Sequence, residues 1–292
     1  MSNDKLKSDR EAPGSWNSSQ HQRRRKYRWL IAASHHITVK LGKWFPNAFP
    51  FVYLSGYPKS GTSWAADLIA DALGISHPQH SLMPLGSECV VQTHSRFDPK
   101  CRRAVYVMRD GRDVMVSLYF HLIGNREACG TGRNPYQGIR GLGTAQSIRD
   151  DLPEFIAGQF DRPFGSPLNW ADHVTSYLQS TSDRLSLVRY EDLKHDAIGT
   201  VARTIATLTS KPVSDEKLEH IIARHSFSKP SSQKTSATEP SSFLRKGIAG
   251  DWRNHFSEEA CEQFDRSFGD ALLLAGYESD RSWTRSSIQK AA

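Results

Sequence analysis

The sequence predicts an α/β fold with a central, mostly parallel sheet flanked by helices. Three stretches carry that expectation: FVYLSGYPKSGTSWAADLIADAL at 51–73, RRAVYVMR at 102–109 and RLSLVRY at 184–190. Each is a short run of β-formers that passes through a turn into a segment of helical period. Repeated strand-then-helix signals are what a parallel sheet covered on both faces requires. The chain has 292 residues, 38% of them hydrophobic, enough for one large core. We expect one domain over 27–280, a flexible basic extension at 1–26 and a tail at 281–292.

Taken in order, the polar start at 1–22 gives way to QRRRKYRWLIAASHHITVKLGKWF, a basic head on a mixed apolar body. That segment reads either as a helix packed on the domain or as a weak peripheral membrane contact through 23–45. Pro46 and Pro50 lead into the first strand, Phe51 to Ser55. A Gly/Pro/Ser turn follows, and from Thr62 the residues Trp64, Ala65, Leu68, Ile69, Ala72 and Leu73 recur at helical spacing. Gly61 lets the loop N–H groups converge at the positive end of the new helix. Lys59, Thr62 and Ser63 add an ammonium and two hydroxyls, which together make an anion cradle. The nucleotide-triphosphate loop would place its lysine after the second glycine, whereas Lys59 precedes Ser60 and Gly61. An ordinary strand–helix turn with a solvated lysine is the bland alternative.

The long segment GISHPQHSLMPLGSE suits a binding surface. Cys89 to Thr93 reads as a buried strand ending at His94, on the rim where open α/β sheets bind ligands. A histidine there can deprotonate a hydroxyl near neutral pH. Arg109 ends the clearest strand, Ala104 to Met108, and Ser117 lies eight residues on in the following helix. Arginine suits two-pronged phosphate binding, so a second phosphate site is expected there, with pairing to Asp110 or Asp113 as the alternative. Residues 125–147 read as a surface excursion, then come helices at 151–160 and 169–180, the second with Asn169 as its cap candidate. Tyr190 ends the next strand, helices follow near 195–208 and 214–224, and 228–242 is Ser/Thr/Pro-rich. That stretch runs into the basic turn Arg245-Lys246-Gly247, so 228–247 is expected to act as a cofactor lid. A terminal helix follows from Ser257, and 280–292 is expected to fray.

The formal charge of +7 comes from 38 basic against 31 acidic residues, with much of the excess at Arg23 to Lys26 and Arg28. That balance suits a polyanion surface and equally an anionic cosubstrate. No run approaches the roughly 20 apolar residues of a membrane helix. The start carries no signal-peptide core. Cys89, Cys101, Cys129 and Cys261 lack metal-ligand or disulfide spacing, so a cytoplasmic setting is expected, and no metal is required because arginine and lysine supply the neutralising charge.

GYPKSGTSW, VYVMRDGRDVMVSLYF, VRYEDL, HSF and FLRKGIAGDW, in this order, resemble the cytosolic-type sulfotransferase family over roughly residues 50–277. The resemblance implies a P-loop NTPase-like sulfotransferase fold. It also implies transfer of a sulfuryl group from 3′-phosphoadenosine 5′-phosphosulfate (PAPS), with 3′,5′-bisphosphoadenosine (PAP) as product, to a small-molecule, lipid or glycoside hydroxyl. A bacterial member is expected. By resemblance, Lys59, Ser60, Gly61, Thr62 and Ser63 hold the phosphosulfate end, and Lys59 also takes part in the transfer. Trp64, Tyr190 and Phe227 lie about the adenine, and Arg109, Ser117, Arg245, Lys246 and Gly247 hold the 3′-phosphate. His94 is the general base. Three departures stand out: Gln92 where the family has a lysine, Ser95-Arg96-Phe97 where it has Leu-Pro after the histidine, and Arg253, Ser257-Glu258 and Glu262 in place of its dimerisation pattern. The oligomeric state is left open. An ATP–magnesium kinase and a non-catalytic polyanion or RNA binder are the rival readings. The spread of basic residues over strand ends and glycine turns disfavours nucleic acid.

Overall fold

The computed structural model describes residues 27–129, 136–209, 211–225 and 247–286. Four strands, β1 (Val52–Ser55), β2 (Val90–Thr93), β3 (Ala104–Met108) and β4 (Leu185–Arg189), form one sheet in the order β2-β1-β3-β4. Every neighbouring pair is parallel, and Ser55 lies opposite both Thr93 and Tyr106, so the carboxyl ends gather on one rim. The longer helices in chain order are α1 (Arg28–Trp44), α2 (Thr62–Leu73), α3 (Gly111–Ala128), α4 (Ile148–Asp161), α5 (Trp170–Leu178), α6 (Tyr190–His195), α7 (Ala197–Thr209), α8 (Asp215–His225) and α9 (Glu258–Leu274).

The central strands β1 and β3 are buried along their whole length because both faces of the sheet are covered there. Val52, Leu54, Val105, Val107 and Val188 pack with α2, α7 and α8. Tyr106 and Met108 point to the other face, into a core shared by α3, α4, α5 and α9. Tyr53, Val91 and Ala104 form a smaller cluster against which Val39 of α1 packs. Helix starts follow the capping residues: Asp110 accepts from Arg112 N at 2.9 Å, Asn169 from Asp172 N at 2.9 Å, and Ser257 from Ala260 N at 3.2 Å.

Two expectations need correction. Tyr190, expected to end a strand, opens α6: the ladder stops at the Met108–Arg189 pair, and Glu191 and Asp192 then supply the acidic first turn a helix favours. Trp283, in the stretch expected to fray, is buried edge-on to Trp252 with ring centroids 5.9 Å apart.

Arg112 explains that burial. It is 1% exposed, with Nε 3.0 Å and one terminal nitrogen 2.7 Å from the Asp110 carboxylate, and the other 2.6 Å from Glu278. The Trp252 and Trp283 rings lie 4.0 and 4.7 Å from its guanidinium. One cation thus fastens the turn after β3 to the stretch from Glu278 to Trp283. Removing one partner of a buried pair typically costs about 3–5 kcal/mol, because the remaining charge is uncompensated. Arg112→Met should therefore lower unfolding stability in urea by about that amount. A loss below about 1 kcal/mol would mean that the carboxylates find water and the cation is dispensable.

Candidate active site

The chain leaves β1 towards β2 on one side, and β3 lies on the other, so the crevice beyond their carboxyl ends is the sheet's switch point. The loop after β1 occupies it. Gly56 makes the close approach possible: a Cβ there would stand 2.5 Å from both the Val107 carbonyl oxygen and a Thr62 methyl. Lys59 (φ 74°) and Gly61 (φ 83°) are both left-handed and flank Ser60, curling the loop N–H groups towards the start of α2. At Lys59 this conformation carries about 1–3 kcal/mol of strain, of the kind that collects at ligand sites. A Cβ on Gly61 would meet the Tyr190 ring at 2.6 Å. Ser60 is 1% exposed, yet its Oγ has no hydrogen-bond partner among the described residues.

Gln92 at the end of β2 reaches across to this first turn. Its Nε2 donates to Thr62 Oγ1 at 2.8 Å, and its Oε1 accepts from Ser63 Oγ at 3.3 Å. From the other side, Arg109 donates to the Lys59 carbonyl at 3.1 Å and to the Ile248 carbonyl at 3.3 Å. Its guanidinium lies 4.5 Å from the Tyr190 ring, and its Nε is buried without a partner among the described residues. The expected alternative, pairing with Asp113, is present only at 3.8 Å. Asp113 is occupied instead by the backbone N–H groups of Gly250 (2.7 Å) and Trp252 (2.9 Å). Its pKa is raised by burial, against the pull of Arg109. Tyr190 Oη donates to the Gly247 carbonyl at 3.2 Å, which brings that glycine to the same place.

Burial, and then the neighbouring Arg109, push the Lys59 ammonium down to about 8. His94 donates from Nδ1 to the Gly56 carbonyl at 2.6 Å, since a carbonyl can only accept. Nε2 therefore carries the free lone pair in the neutral ring. Burial lowers the His94 pKa below the ordinary imidazole value, with the Gly56 bond opposing. A cleft of about 520 Å³ opens here, with Ser63, Gln92 and His94 on one side and His35, Thr38 and Leu85 on the other. His35 is lowered by burial and then by His94. His121 on α3 is lowered to about 4 by burial and then by Lys59, which places that helix face beside the cradle.

Of the expected site residues, Lys59, Ser60, Gly61, Thr62, Ser63, Arg109, Tyr190 and Gly247 converge, and His94 joins them through Gly56. Trp64 stands edge-on to Tyr190 at 6.2 Å, with its Nε1 donating to the His225 carbonyl at 3.1 Å. Ser117 is half-buried one turn before His121, with no hydrogen bond among the described residues. Phe227, Arg245 and Lys246, and with them most of the expected lid, lie outside the described residues. His35, His121, the Gln92 bridge and the Asp113 anchor went unforeseen as site features. Only His121 left a local signal, its four-residue spacing from Ser117 on one helix face.

Comparison with known proteins bears on this arrangement. The family described as "Sulfotransferase domain" matches residues 79–276, beginning after the cradle loop. Sulfotransferase 1E1 of Cavia porcellus is 28% identical over 259 residues, covering 74% of this chain and 80% of that protein. Human sulfotransferase 2B1 is 28% identical over 256 residues, and the chain spans 64% of its length. Both relatives are mammalian and lend nothing to the expectation of a bacterial member. Among solved structures, mouse sulfotransferase SULT7A1 complexed with PAP aligns with TM-score 0.55 at 21% identity, over 78% of this chain and 89% of that one. Retinol dehydratase in complex with androsterone and inactive cofactor PAP aligns with TM-score 0.54 at 22% identity, over 76% and 80%. At such identities the structural likeness speaks for the fold. Because the family match takes in well over half of its residues, the chain belongs to the sulfotransferase-domain family.

Proposed function

We propose that this sulfotransferase takes its sulfuryl group from PAPS and passes it to a hydroxyl of a small-molecule, lipid or glycoside acceptor entering the cleft beside His94. The observation that carries the donor assignment is the pair of buried, unpartnered polar atoms at the cradle, Ser60 Oγ and Arg109 Nε. Buried polar atoms without partners are costly, and an anion's oxygens would satisfy both. SULT7A1 and retinol dehydratase, both described with PAP, support the same donor. A nucleotide-triphosphate loop of the kinase kind would place its lysine after the second glycine, whereas Lys59 precedes Ser60 and Gly61.

Bound PAPS supplies the sulfuryl group, and the bisphosphate leaves. His94 Nε2 takes the acceptor's proton, a role that suits a ring kept neutral by burial. Lys59 and the loop N–H groups face the oxygen on which charge grows, where one such donor is worth about 3–4 kcal/mol of transition-state stabilisation. Arg109 contributes to the 3′-phosphate site while holding the cradle loop to the segment at Ile248. By the family resemblance, Ser117, Arg245, Lys246 and Gly247 would complete that site and Trp64, Tyr190 and Phe227 would surround the adenine, with Arg245, Lys246 and Phe227 outside the described residues.

On the acceptor side, α1 is docked by Ser34, Thr38 and Gly42 and turns Trp29 and Trp44 outward, 69% and 63% exposed. Ile37 and Phe45 are exposed as well, and Lys40 lies 5.9 Å from the Trp44 ring. The helix has no acidic residue. Exposed indoles among cations suit the interface of an anionic bilayer, which supports the weak peripheral contact expected for this segment. Among the described residues no helix is long and apolar enough to cross a membrane. A cytoplasmic protein touching that surface is the reading we adopt.

Three experiments test these assignments. Lys59→Ala and His94→Ala should each lower turnover by about 10²–10³-fold while PAP affinity changes by no more than about tenfold. In the wild type, kcat/KM for the donor should fall above pH 8 as Lys59 loses its proton, and below His94's depressed value as that ring gains one. Lys59→Arg should remove the alkaline fall, whereas a profile flat through pH 9.5 in the wild type would dismiss Lys59 as the cation. For α1, sedimentation with phosphatidylserine vesicles should retain the wild type and release Trp29→Ser/Trp44→Ser, with retention weakening as salt rises. Equal retention of both proteins would dismiss the membrane contact.

A further inference from the structure

We propose that Gln92 is a positioning residue that directs the Thr62 hydroxyl proton at the donor's 5′-phosphate, and so acts on the anion through Thr62. The inference rests on the donor-site reading above. Its basis is the direction of two hydrogen bonds. An amide NH₂ only donates and an amide oxygen only accepts. With Nε2 2.8 Å from Thr62 Oγ1, the threonine oxygen is an acceptor and its own proton is left unspent. With Ser63 Oγ donating to Oε1 at 3.3 Å, the serine proton is already used. The two hydroxyls of the first helical turn are therefore unequal: Thr62 can donate to an anion, and Ser63 presents lone pairs. Thr62 is 4% exposed, so water has little access to reorient it.

The donating Thr62 hydroxyl sits at the start of α2, beside the orphaned Ser60 Oγ and the loop N–H groups. A neutral amide can hold this order without adding charge next to Lys59, whose ammonium is already disfavoured by burial and by Arg109. Nε2 has a second hydrogen, and Gln92 also lines the cleft next to His94. One side chain therefore touches both the donor cradle and the acceptor cavity.

The test compares two probes, PAP and adenosine 3′-monophosphate, by calorimetric titration of the wild type, Gln92→Leu and Gln92→Glu. A hydrogen bond to a charged oxygen is worth roughly tenfold or more in affinity. Gln92→Leu should weaken PAP by about tenfold and leave the 3′-monophosphate within about twofold, because only PAP carries the 5′-phosphate. Gln92→Glu should weaken PAP further, since a carboxylate accepts the Thr62 proton and sets a like charge beside the phosphate. Equal weakening of both probes would make Gln92 a merely structural prop and overturn the inference, as would an unchanged PAP affinity in both variants. A wild type that binds neither probe would remove the donor-site reading itself, and this inference with it.

Discussion

The strand-end arginine at 109 is the contact on which the site depends. Its guanidinium ties the carbonyl of Lys59, in the loop after β1, to the carbonyl of Ile248, which lies 139 residues beyond the arginine itself, and lies over the Tyr190 ring that closes the gap at Gly61. Three segments far apart in sequence are thus held at the carboxyl end of β3. Asp113, one turn later, does for the backbone N–H groups of Gly250 and Trp252 what Arg109 does for the carbonyls. The arrangement works because both residues are fixed from behind: Asp110 caps α3 and is itself clamped by Arg112 between two tryptophans.

An electrostatic cost follows from this geometry. Lys59 is withdrawn from water close to Arg109, and its pKa is depressed first by that burial and then by the like charge of Arg109. Such a site gains when an anion enters, since the ligand's charge relieves a repulsion the fold already maintains. The cleft beside the cradle is built differently. His94 and His35, which line it, are both shifted towards the neutral form, chiefly by burial. On the function proposed here, proton acceptance would fall to the desolvated His94 and anion binding to Lys59 and the helix-terminal N–H groups.

How much of this was legible in the sequence depends on how local each signal is. The cradle loop, the strand ends at His94 and Arg109, and the cap at Asn169 are written in adjacent residues, because turns, caps and helical periods are short-range rules. The Gln92–Thr62 bond spans 30 positions and the Asp113–Gly250 bond 137, and no local pattern announces either. The polar neighbours of Trp283 give no local sign of its burial, which rests on distant partners: Arg112, Trp252, Phe264 and the Asp265 carboxylate. Tyr190 was misread as a strand end because its run of β-formers continues one residue past the last ladder pair. Arg253, Ser257-Glu258 and Glu262, read from sequence as a weakened dimerisation pattern, surround a conventional start of α9 with Ser257 as its cap and acids in its first turn.

The donor assignment is most directly tested by calorimetric titration of the wild-type protein with PAP, alongside ATP with magnesium. The account predicts saturable one-to-one binding of the bisphosphate, and much weaker binding of ATP, whose phosphates crowd one end and leave Arg109 without its 3′ ligand. Tight ATP–magnesium binding with none for the bisphosphate would contradict it.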